Sequence, residues 1–355
     1  MSQTISQRKT DHILLCATGD VGFRARTTLF EDVRLVHDAL PDFSVDRLDL
    51  SCELFGKKLR APIIIAAMTG GTDEAGRINR ELASVAEERG YGFGLGSQRA
   101  MHMRPGTNAT YRVRDVAPTT VVLGNLGVVQ AKGMSNDEVR ALVADVGADA
   151  LCIHLNPAME LVQPDGDRDF SGGLETIARL SAALEIPVVV KETGCGLSPS
   201  VGARVKGVGV KTVDVSGAGG TSWVGVETKR AEDQGDSRLK ALGDAFWDWG
   251  IPTAASVALL APMGLDVIAT GGVGSGLDIA RAIVLGAKAA GIARPALRAL
   301  HEGGRAGANA FFDGIESELR AAMLLTGSAD LAALRGKPRV ITGELALWID
   351  QLQAR

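Results

Sequence analysis

The stretch "ATGGVGSGLD" at residues 269–278 decides between two folds, because glycines at this spacing are typical of loops that approach a phosphate. A dinucleotide-binding loop needs G-x-G-x-x-G after the first strand of a βαβ unit, but Leu277 stands where the third glycine belongs. The acidic residue expected about 20 residues later would fall near Arg298, which is basic. The loop also lies late in the chain. The sequence therefore argues against a Rossmann fold and places these glycines in another α/β fold.

Short apolar runs recur along the chain, and each ends in or near Gly, Ser, Asn or Lys. Most are followed by a stretch with helical periodicity, as expected for alternating strands and helices. The eight runs are "PIIIAAM" (62–68), "YGFGLGS" (91–97), "TVVLGNLG" (120–127), "ALCIHLN" (150–156), "PVVVKETG" (187–194), "TVDVSGAGG" (212–220), "DVIATGG" (266–272) and "AAGIARP" (289–295).

Alternation of strands and helices predicts a parallel sheet, and eight such units match a closed (β/α)8 TIM barrel of the α/β class. Helices are predicted between several strands, at residues 75–89, 136–146, 174–183 and 277–285. A ninth apolar run, "IPTAAS" (251–256), is the shortest, and we interpret it as the start of the helix before strand seven.

The chain reads as one domain with an extension at each end of the barrel. Residues 1–60 form an N-terminal arm, in which "FSVDRLDLSCELFGKKL" (43–59) alternates like a hairpin that caps the barrel. Residues 61–300 hold the barrel itself. Residues 301–355 are predicted to form a C-terminal helical tail packed on its outside.

Composition excludes several classes of protein. With 38 basic and 42 acidic residues the net charge is -4, which argues against a nucleic-acid-binding surface but allows a local basic pocket. We expect no secretion signal, because charged residues interrupt the N-terminal stretch, and no membrane span, because the apolar runs are too short. Cys16, Cys52, Cys152 and Cys195 show neither C-x-x-C nor metal-ligand spacing, so we expect reduced thiols and a cytoplasmic protein.

The loops after predicted strands seven and eight are expected to bind a phosphate. In this fold the chemistry takes place at the C-terminal strand ends, and phosphates commonly bind at these two loops. Gly271, Gly272 and Gly274 end strand seven, while Ala293 and Arg294 follow strand eight. The alternative is that the glycines only permit a tight turn.

Other predicted strand ends carry more polar residues than a barrel rim with only a structural role requires. Lys191 closes an apolar strand, where it must either pair with a neighbouring carboxylate or meet an anionic cofactor. His154 fits a hydrogen-bonded core histidine as well as a catalyst, and Cys195 lacks an adjoining histidine that would activate it. The remaining strand-end residues are Thr69, Ser97, Gln98, Arg99, Asn125, Asn156, Glu192, Ser216 and Thr221.

Nine motifs, in order, give the chain a resemblance to one family over nearly its whole length. They are "RKTDHI" (8–13), "AAMTGG" (66–71), "GLGSQR" (94–99), "GNLG" (124–127), "HLNPAME" (154–160), "DGDRDFSG" (165–172), "VVVKETG" (188–194), "DVSGAGGTSW" (214–223) and "ATGGVGSGLDIARAIVLGA" (269–287). With these motifs the chain resembles the FMN-dependent type 2 isopentenyl-diphosphate isomerases. The resemblance implies interconversion of isopentenyl and dimethylallyl diphosphate with reduced FMN, which moves the proton, and Mg²⁺. It also implies NAD(P)H as the flavin reductant and a homo-oligomer, a tetramer or octamer.

The resemblance also implies a role for each matching residue. Glu160 would hold Mg²⁺, and Lys191 would stabilise the anionic reduced flavin. The candidate catalytic residues are His154, Asn156, Gln163 and Lys191. The substrate would contact Arg8, Lys9, Ser97, Gln98, Arg99 and Met159. FMN would contact Ala67, Met68, Thr69, Ser97, Asn125, Lys191, Ser216, Thr221, Gly272, Val273, Gly274, Ala293 and Arg294.

Two positions depart from the family pattern. Gly274 replaces a residue that is often polar, and Met159 replaces the glutamine that usually precedes the metal-binding glutamate. A thioether has no transferable proton. If "NPAMELVQ" forms a helical turn, Gln163 shares a face with Met159 and its amide reaches the same region. Alternatively, Gln163 is a loop residue and Met159 lines an apolar wall near the prenyl tail.

Three other functions are weighed against the isomerase. A 2-hydroxyacid-oxidase-like oxidoreductase needs a histidine base and an arginine after a late strand, and "VDVSGAGGTSWVG" (213–225) has neither. A dehydrogenase of the inosine-monophosphate type needs a reactive loop cysteine, for which only Cys195 is available. A non-catalytic flavin-binding relative stays open because of Met159.

Overall fold

The structure, a computed structural model, describes residues 5–104 and 106–353. Within this part of the chain the strands are β1 (Val33–Leu35), β2 (Cys52–Leu54), β3 (Lys57–Leu59), β4 (Ile63–Ile65), β5 (Gly92–Gly94), β6 (Val121–Gly127), β7 (Ala150–Leu155), β8 (Val188–Glu192), β9 (Thr212–Asp214), β10 (Asp266–Ala269), β11 (Ala289–Ile292) and β12 (Arg339–Ile341). The α-helices are α1 (Ile5–Thr18), α2 (Asp73–Arg89), α3 (Arg99–Met103), α4 (Val128–Lys132), α5 (Asn136–Val146), α6 (Pro157–Val162), α7 (Gly173–Ala183), α8 (Pro199–Gly207), α9 (Trp223–Asp233), α10 (Ser237–Ala245), α11 (Thr253–Leu260), α12 (Gly276–Val284), α13 (Arg294–Leu325), α14 (Leu331–Arg335) and α15 (Gly343–Gln353).

Strands β4 to β11 form a closed barrel in which each strand pairs in parallel with its neighbour in the chain, and β11 closes onto β4. These are the eight strands predicted from the apolar runs, so the (β/α)8 barrel is confirmed. The run at 251–256 leads into α11 rather than forming a strand. The prediction of a helix at 136–146 matches α5 residue for residue.

Local sequence explains how the barrel elements begin and end. Strands β6 and β8 are buried along their length, which suits the continuous apolar runs of a strand covered on both faces. Helix α5 begins with a capping box between Ser135 and Glu138 and ends at Gly147, whose φ is 60°. Glycine adopts this left-handed conformation without a Cβ clash, so the chain can turn into β7.

The hairpin formed by β2 and β3 fills the bottom of the barrel. Leu54 and Leu59 are 1% and 2% exposed, and they pack against Ile64, Val121 and Val189 inside the barrel. Burying a side chain of this size contributes roughly 1.5–3 kcal/mol. In the described chain apolar side chains therefore fill the bottom of the barrel, which leaves the opposite end, at the C-terminal strand ends, for a ligand.

Helices α1 and α13 pack against each other. The carbonyls at the end of α1 accept hydrogen bonds from Arg294 and Arg298, with Arg294 Nη2 2.6 Å from Gly19 O. These two arginines hold α1 against the first turns of α13. Helix α13 crosses residue 300 without ending there and breaks at Gly304, where φ is 58°. Among the described residues, no helix combines the length and apolar character needed to cross a membrane.

Candidate active site

A cavity of about 530 Å³ lies at the C-terminal ends of the barrel strands, beneath α1. Most residues selected from the sequence line it, although they come from separate strand ends and from α1. The selected residues in its lining are Arg8, Lys9, Ala67, Met68, Thr69, Ser97, Arg99, Asn125, His154, Asn156, Met159, Glu160, Gln163, Lys191, Ser216, Thr221, Gly272, Val273, Ala293 and Arg294.

Gln98 and Gly274 do not belong to the lining of this cavity in the described chain. The Gln98 side chain is fully buried, donates to Leu142 O at 3.3 Å and accepts from Asn125 N at 2.9 Å. It therefore supports the ends of β5 and β6, and a substrate contact at Gln98 stays a prediction. Gly274 is exposed and its N–H donates to Asp278 Oδ2 at 3.3 Å, and a cofactor contact there stays a prediction.

The cavity is strongly electropositive. Among the described residues, its lining holds the basic side chains Arg8, Lys9, Arg99, Lys191, Arg294 and Arg298, with Glu160 as the only acidic one. Burial, together with the neighbouring arginines, lowers the pKa of Lys9 to about 8, and burial also lowers the pKa of Arg8. Positive charges packed this closely indicate a site for anionic ligands.

The loop after β10 and the N-terminus of α13 both belong to the lining of the cavity. Gly271 and Gly272 have φ of 96° and 73°, and a Cβ on Gly271 would collide with Gly217 O of the neighbouring loop. The glycines are therefore required by the packing of two loops, which supports the tight-turn alternative. The N-terminus of α13 nevertheless lines the cavity with Ala293 and Arg294, and no described side chain caps it. Its free N–H groups and helix dipole favour a phosphate at this corner.

Lys191 forms the ion pair that one alternative weighed from the sequence required, while its contact with an anionic cofactor stays a prediction. Its Nζ lies 3.1 Å from Asp214 Oδ2, with the two side chains 9% and 6% exposed, and Lys191 also lines the cavity. Lys191 and Asp214 are register partners on β8 and β9, so the parallel pairing brings them together. Sequence analysis missed Asp214, although a buried lysine at a strand end called for a carboxylate on an adjacent strand.

His154 on β7 is held in one tautomer. Its Nδ1 lies 2.8 Å from Asn125 Oδ1, and Asn125 Nδ2 donates to Leu95 O at 3.0 Å. Because the Asn125 oxygen only accepts, Nδ1 carries the proton and Nε2 is an acceptor. Burial, reinforced by Lys191, Lys9 and Arg99, lowers the pKa of His154 to about 3. His154 is therefore neutral at physiological pH and poorly suited to accept a proton there.

Residues 157–162 form helix α6, as the helical alternative required, and Gln163 follows as its C-terminal cap. Gln163 is 3% exposed, lines the cavity, and its Nε2 has no hydrogen-bond partner in the described chain. Met159, one turn earlier, lines the same cavity. An amide that is buried without a partner points to a ligand that completes it.

Glu160 on α6 is 6% exposed and lies in a polar setting. Its Oε1 accepts from Asn156 Nδ2 at 2.7 Å, and its Oε2 accepts from Asp167 N at 2.8 Å. In residues 5–104 and 106–353, no group of three or more His, Cys, Asp or Glu side chains is arranged to hold a metal ion. A cation at Glu160 would therefore need further ligands from a bound substrate or water.

A buried network between α1 and α9 was also missed. His12 Nε2 lies 2.7 Å from Glu227 Oε1, Arg230 pairs with Glu227, and the His12 ring meets Trp223 edge-on at 5.2 Å. His12 and Trp223 line the cavity. Both belong to motifs quoted from the sequence, but nothing in those motifs indicates that His12 would meet Glu227, 215 positions later. The network fixes α1 over the cavity.

The cysteines of the described chain do not form a nucleophilic site. All four cysteines lie in the described chain and are free thiols, as predicted. Burial raises the pKa of Cys195 far above its ordinary value, and Glu192 adds to the shift. A thiol in this state is not a ready nucleophile, so Cys195 gives no support to a cysteine-dependent dehydrogenase.

Comparison with known proteins matches residues 1–155 and 154–341 to the family described as FMN-dependent dehydrogenase. The isopentenyl-diphosphate delta-isomerase of Methanothermobacter thermautotrophicus is 43% identical over 349 residues, which cover 98% of this chain and 96% of that protein. The isopentenyl-diphosphate delta-isomerase of Synechococcus sp. is 45% identical over 341 residues, covering 95% and 97%.

Among solved structures, a mandelate oxidase variant carrying a monooxide FMN adduct covers 94% of this chain and 93% of its own, with a TM-score of 0.62 and 19% identity. At that identity the likeness concerns the fold alone. The family model and the two relatives, by contrast, span nearly the whole chain. The chain therefore belongs to the FMN-dependent dehydrogenase family and to the isopentenyl-diphosphate delta-isomerases.

Proposed function

We propose that this protein is an isopentenyl-diphosphate delta-isomerase, interconverting isopentenyl and dimethylallyl diphosphate with reduced FMN and Mg²⁺. The observation that carries the proposal is the charge of the cavity, in which six basic side chains face one carboxylate among the described residues. Such a site suits two phosphate-bearing molecules, a cofactor and a substrate. The same reaction is named for relatives that are 43% and 45% identical over nearly the whole chain.

FMN fits the half of the cavity at β8 to β11. The uncapped N-terminus of α13 and the loop with Gly272 and Val273 would bind its phosphate. Thr69 Oγ1 is buried and has no partner in the described residues, which suits a hydrogen bond to the ring system. Lys191 would lie beside the ring, where its ammonium favours the anionic reduced form. The remaining proposed contacts are Ala67, Met68, Ser97, Asn125, Ser216, Thr221, Ala293 and Arg294.

The diphosphate of the substrate would bind at the other half of the cavity, under α1. Arg8 and Lys9 come from α1, and Arg99 begins the helix after β5. Arg99 Nε is buried without a partner in the described chain, so a phosphate oxygen would complete it. Charge-assisted contacts of this kind are worth roughly 1.5–3 kcal/mol each.

Mg²⁺ fits as an ion shared between Glu160 and the substrate. The carboxylate of Glu160 is held in place by Asn156 and by Asp167 N. Since the described residues form no complete metal site, the phosphate oxygens and water would supply the other ligands. This arrangement predicts that the protein binds Mg²⁺ weakly unless the diphosphate is present.

Bound reduced FMN would supply the group that gives a proton to the substrate alkene and takes one back. The chain's own residues would orient the substrate. They would also exclude water from the carbocation that forms when the alkene takes up a proton. Met159 and Met68 would line the prenyl side with soft apolar surface. We propose that His154 accepts a hydrogen bond through Nε2 and that Asn156 holds Glu160.

Gln163 is proposed as the polar group that assists catalysis on α6. Its side chain belongs to the lining of the cavity, and its buried Nε2 has no partner among the described residues, one turn from Met159. Since the thioether at 159 cannot donate a proton, the amide at 163 is the available donor on this helix face. Activity is expected despite Met159.

Three further proposals accompany this function. NAD(P)H would serve as the flavin reductant, and the enzyme would be a cytoplasmic homo-oligomer, a tetramer or octamer. The four free thiols agree with a reducing compartment. Similarity to an oxidase at 19% identity supports no oxidase activity.

The test is to purify the protein, record its visible spectrum and release the flavin by denaturation. We expect a yellow protein with FMN, and isomerisation once the flavin is reduced anaerobically with Mg²⁺ present. Bound FAD, or no flavin after reconstitution, would contradict the cofactor assignment. FMN binding without turnover would favour the non-catalytic flavin-binding relative.

A further inference from the structure

A buried ion pair forms the floor of the cavity between β8 and β9. Asp214 Oδ2 lies 3.1 Å from Lys191 Nζ, while Asp214 Oδ1 accepts from Ser216 N at 3.2 Å and from the Thr270 hydroxyl. The carboxylate is thus held by three donors on three sides. Lys191 lines the cavity whereas Asp214 does not, so any ligand meets the ammonium with the carboxylate behind it.

Glu192 is the other ionisable group beside this pair, and burial raises its pKa to about 7 while Lys191 counteracts the shift. On β7, burial raises the pKa of Cys152 to about 12 and lowers that of His154 to about 3, so both are neutral at physiological pH. The other cations that act on His154, Lys9 and Arg99, belong to helices α1 and α3. A buried charge acts strongly on a neighbour because little water screens it.

We propose that Asp214 is a positioning residue that holds Lys191 at the cavity floor and offsets part of its positive charge, so that the pair sets the ionisation of bound reduced FMN. This inference rests on the proposed function. The sign follows from electrostatics. Removing the carboxylate charge favours the anionic reduced flavin, whereas removing the ammonium favours the neutral reduced flavin.

The experiment is an anaerobic pH titration of the reduced FMN-protein, following the absorbance change between the anionic and neutral reduced flavin. In Asp214→Asn we expect the acid dissociation constant of the flavin to rise about tenfold or more, and in Lys191→Met to fall. Asp266→Asn is the matched control, because it removes a carboxylate charge at the N-terminal end of β10, away from the strand ends that line the cavity. There Asp266 pairs with Lys288 at 2.9 Å.

A second comparison protects the test if Asp214→Asn does not fold. Lys191→Met and Lys191→Met/Asp214→Asn then differ only in the carboxylate charge, and the double variant must have the higher acid constant. Equal titrations with and without the Asp214 charge, or a shift as large in Asp266→Asn, would overturn the inference while leaving FMN binding intact. A wild-type protein that takes up no FMN would refute the proposed function and this inference together.

Discussion

Replacing Gln163 by methionine is expected to stabilise the ligand-free protein and to impair the enzyme. The side chain is 3% exposed and Nε2 has no partner among the described residues. A buried unsatisfied polar group costs about 1–3 kcal/mol, and methionine has nearly the same length without the amide. Gln163→Met should therefore raise the free energy of unfolding by about 1 kcal/mol, which in a protein of this size is about 2 °C in Tm.

The same change removes a hydrogen bond to the ligand. We expect kcat/KM for isomerisation to fall about tenfold to a hundredfold, as for the loss of a contact worth roughly 1.5–3 kcal/mol. Adding Met159→Gln should restore most of the loss, because it returns an amide to the same helix face one turn away. The control is Gln163→Met with Met159→Leu, which changes the same two positions without adding an amide.

Two assays measure the two halves of this prediction. Thermal unfolding of the flavin-free protein gives the stability, and steady-state isomerisation with reduced FMN and Mg²⁺ gives kcat/KM. If Gln163→Met lowers Tm and activity together, the residue is structural and the reasoning is wrong. Normal kcat/KM in Gln163→Met would remove the amide from the mechanism. No turnover in the wild type, with activity restored by Met159→Gln alone, would defeat the claim that Met159 is tolerated.

Other residues of the cavity give two more predictions. Arg99→Ala should raise the apparent substrate constant about tenfold or more without lowering FMN content, and loss of flavin with unchanged substrate affinity would contradict its assignment. Since the pKa of Lys9 is lowered to about 8, an anionic substrate should bind progressively less tightly as the pH rises above that value. Isothermal titration from pH 7 to 9.5 measures this, and the same pH dependence in Lys9→Met would show that another group causes it.

The lowered pKa of Lys9 has the opposite effect on folding. Between about pH 8 and the ordinary lysine pKa, the unfolded chain binds a proton that the folded chain has lost. The Lys9 contribution therefore makes the ligand-free protein more stable as the pH rises through this window. Substrate affinity and stability thus respond to pH in opposite directions, as expected when a cation is kept buried for a ligand.

The barrel was predictable because its signal is local and repeated. Each strand is an apolar run that ends in a small or polar residue, and the parallel pairing follows from the alternation with helices. The cavity residues at strand ends followed from the same rule, since all eight ends meet at one face. Position along a strand was therefore enough to select Asn125, His154 and Lys191.

The sequence did not predict the direction of a side chain that could point either way, nor the contact of a side chain with a residue distant in sequence. Gln98 follows a strand as Ser97 and Arg99 do, yet it turns inward to Leu142 O and Asn125 N. Asp214 and His12 contribute through partners on other elements, and strand register or helix docking decides those contacts. Such choices depend on packing across the whole barrel rather than on neighbouring residues.

The distribution of unpartnered polar atoms separates the site from the rest of the fold. In the described chain six buried side-chain atoms lack a partner, and three of them, Thr69 Oγ1, Arg99 Nε and Gln163 Nε2, belong to residues that line the cavity. Each destabilises the ligand-free protein, as does the crowding of Arg8 against other cations. Ligands that satisfy these groups bind the folded state alone and so stabilise it. The cavity is therefore organised around ligands that supply the missing hydrogen bonds. The unpartnered groups that destabilise the ligand-free protein are the groups that recognise those ligands.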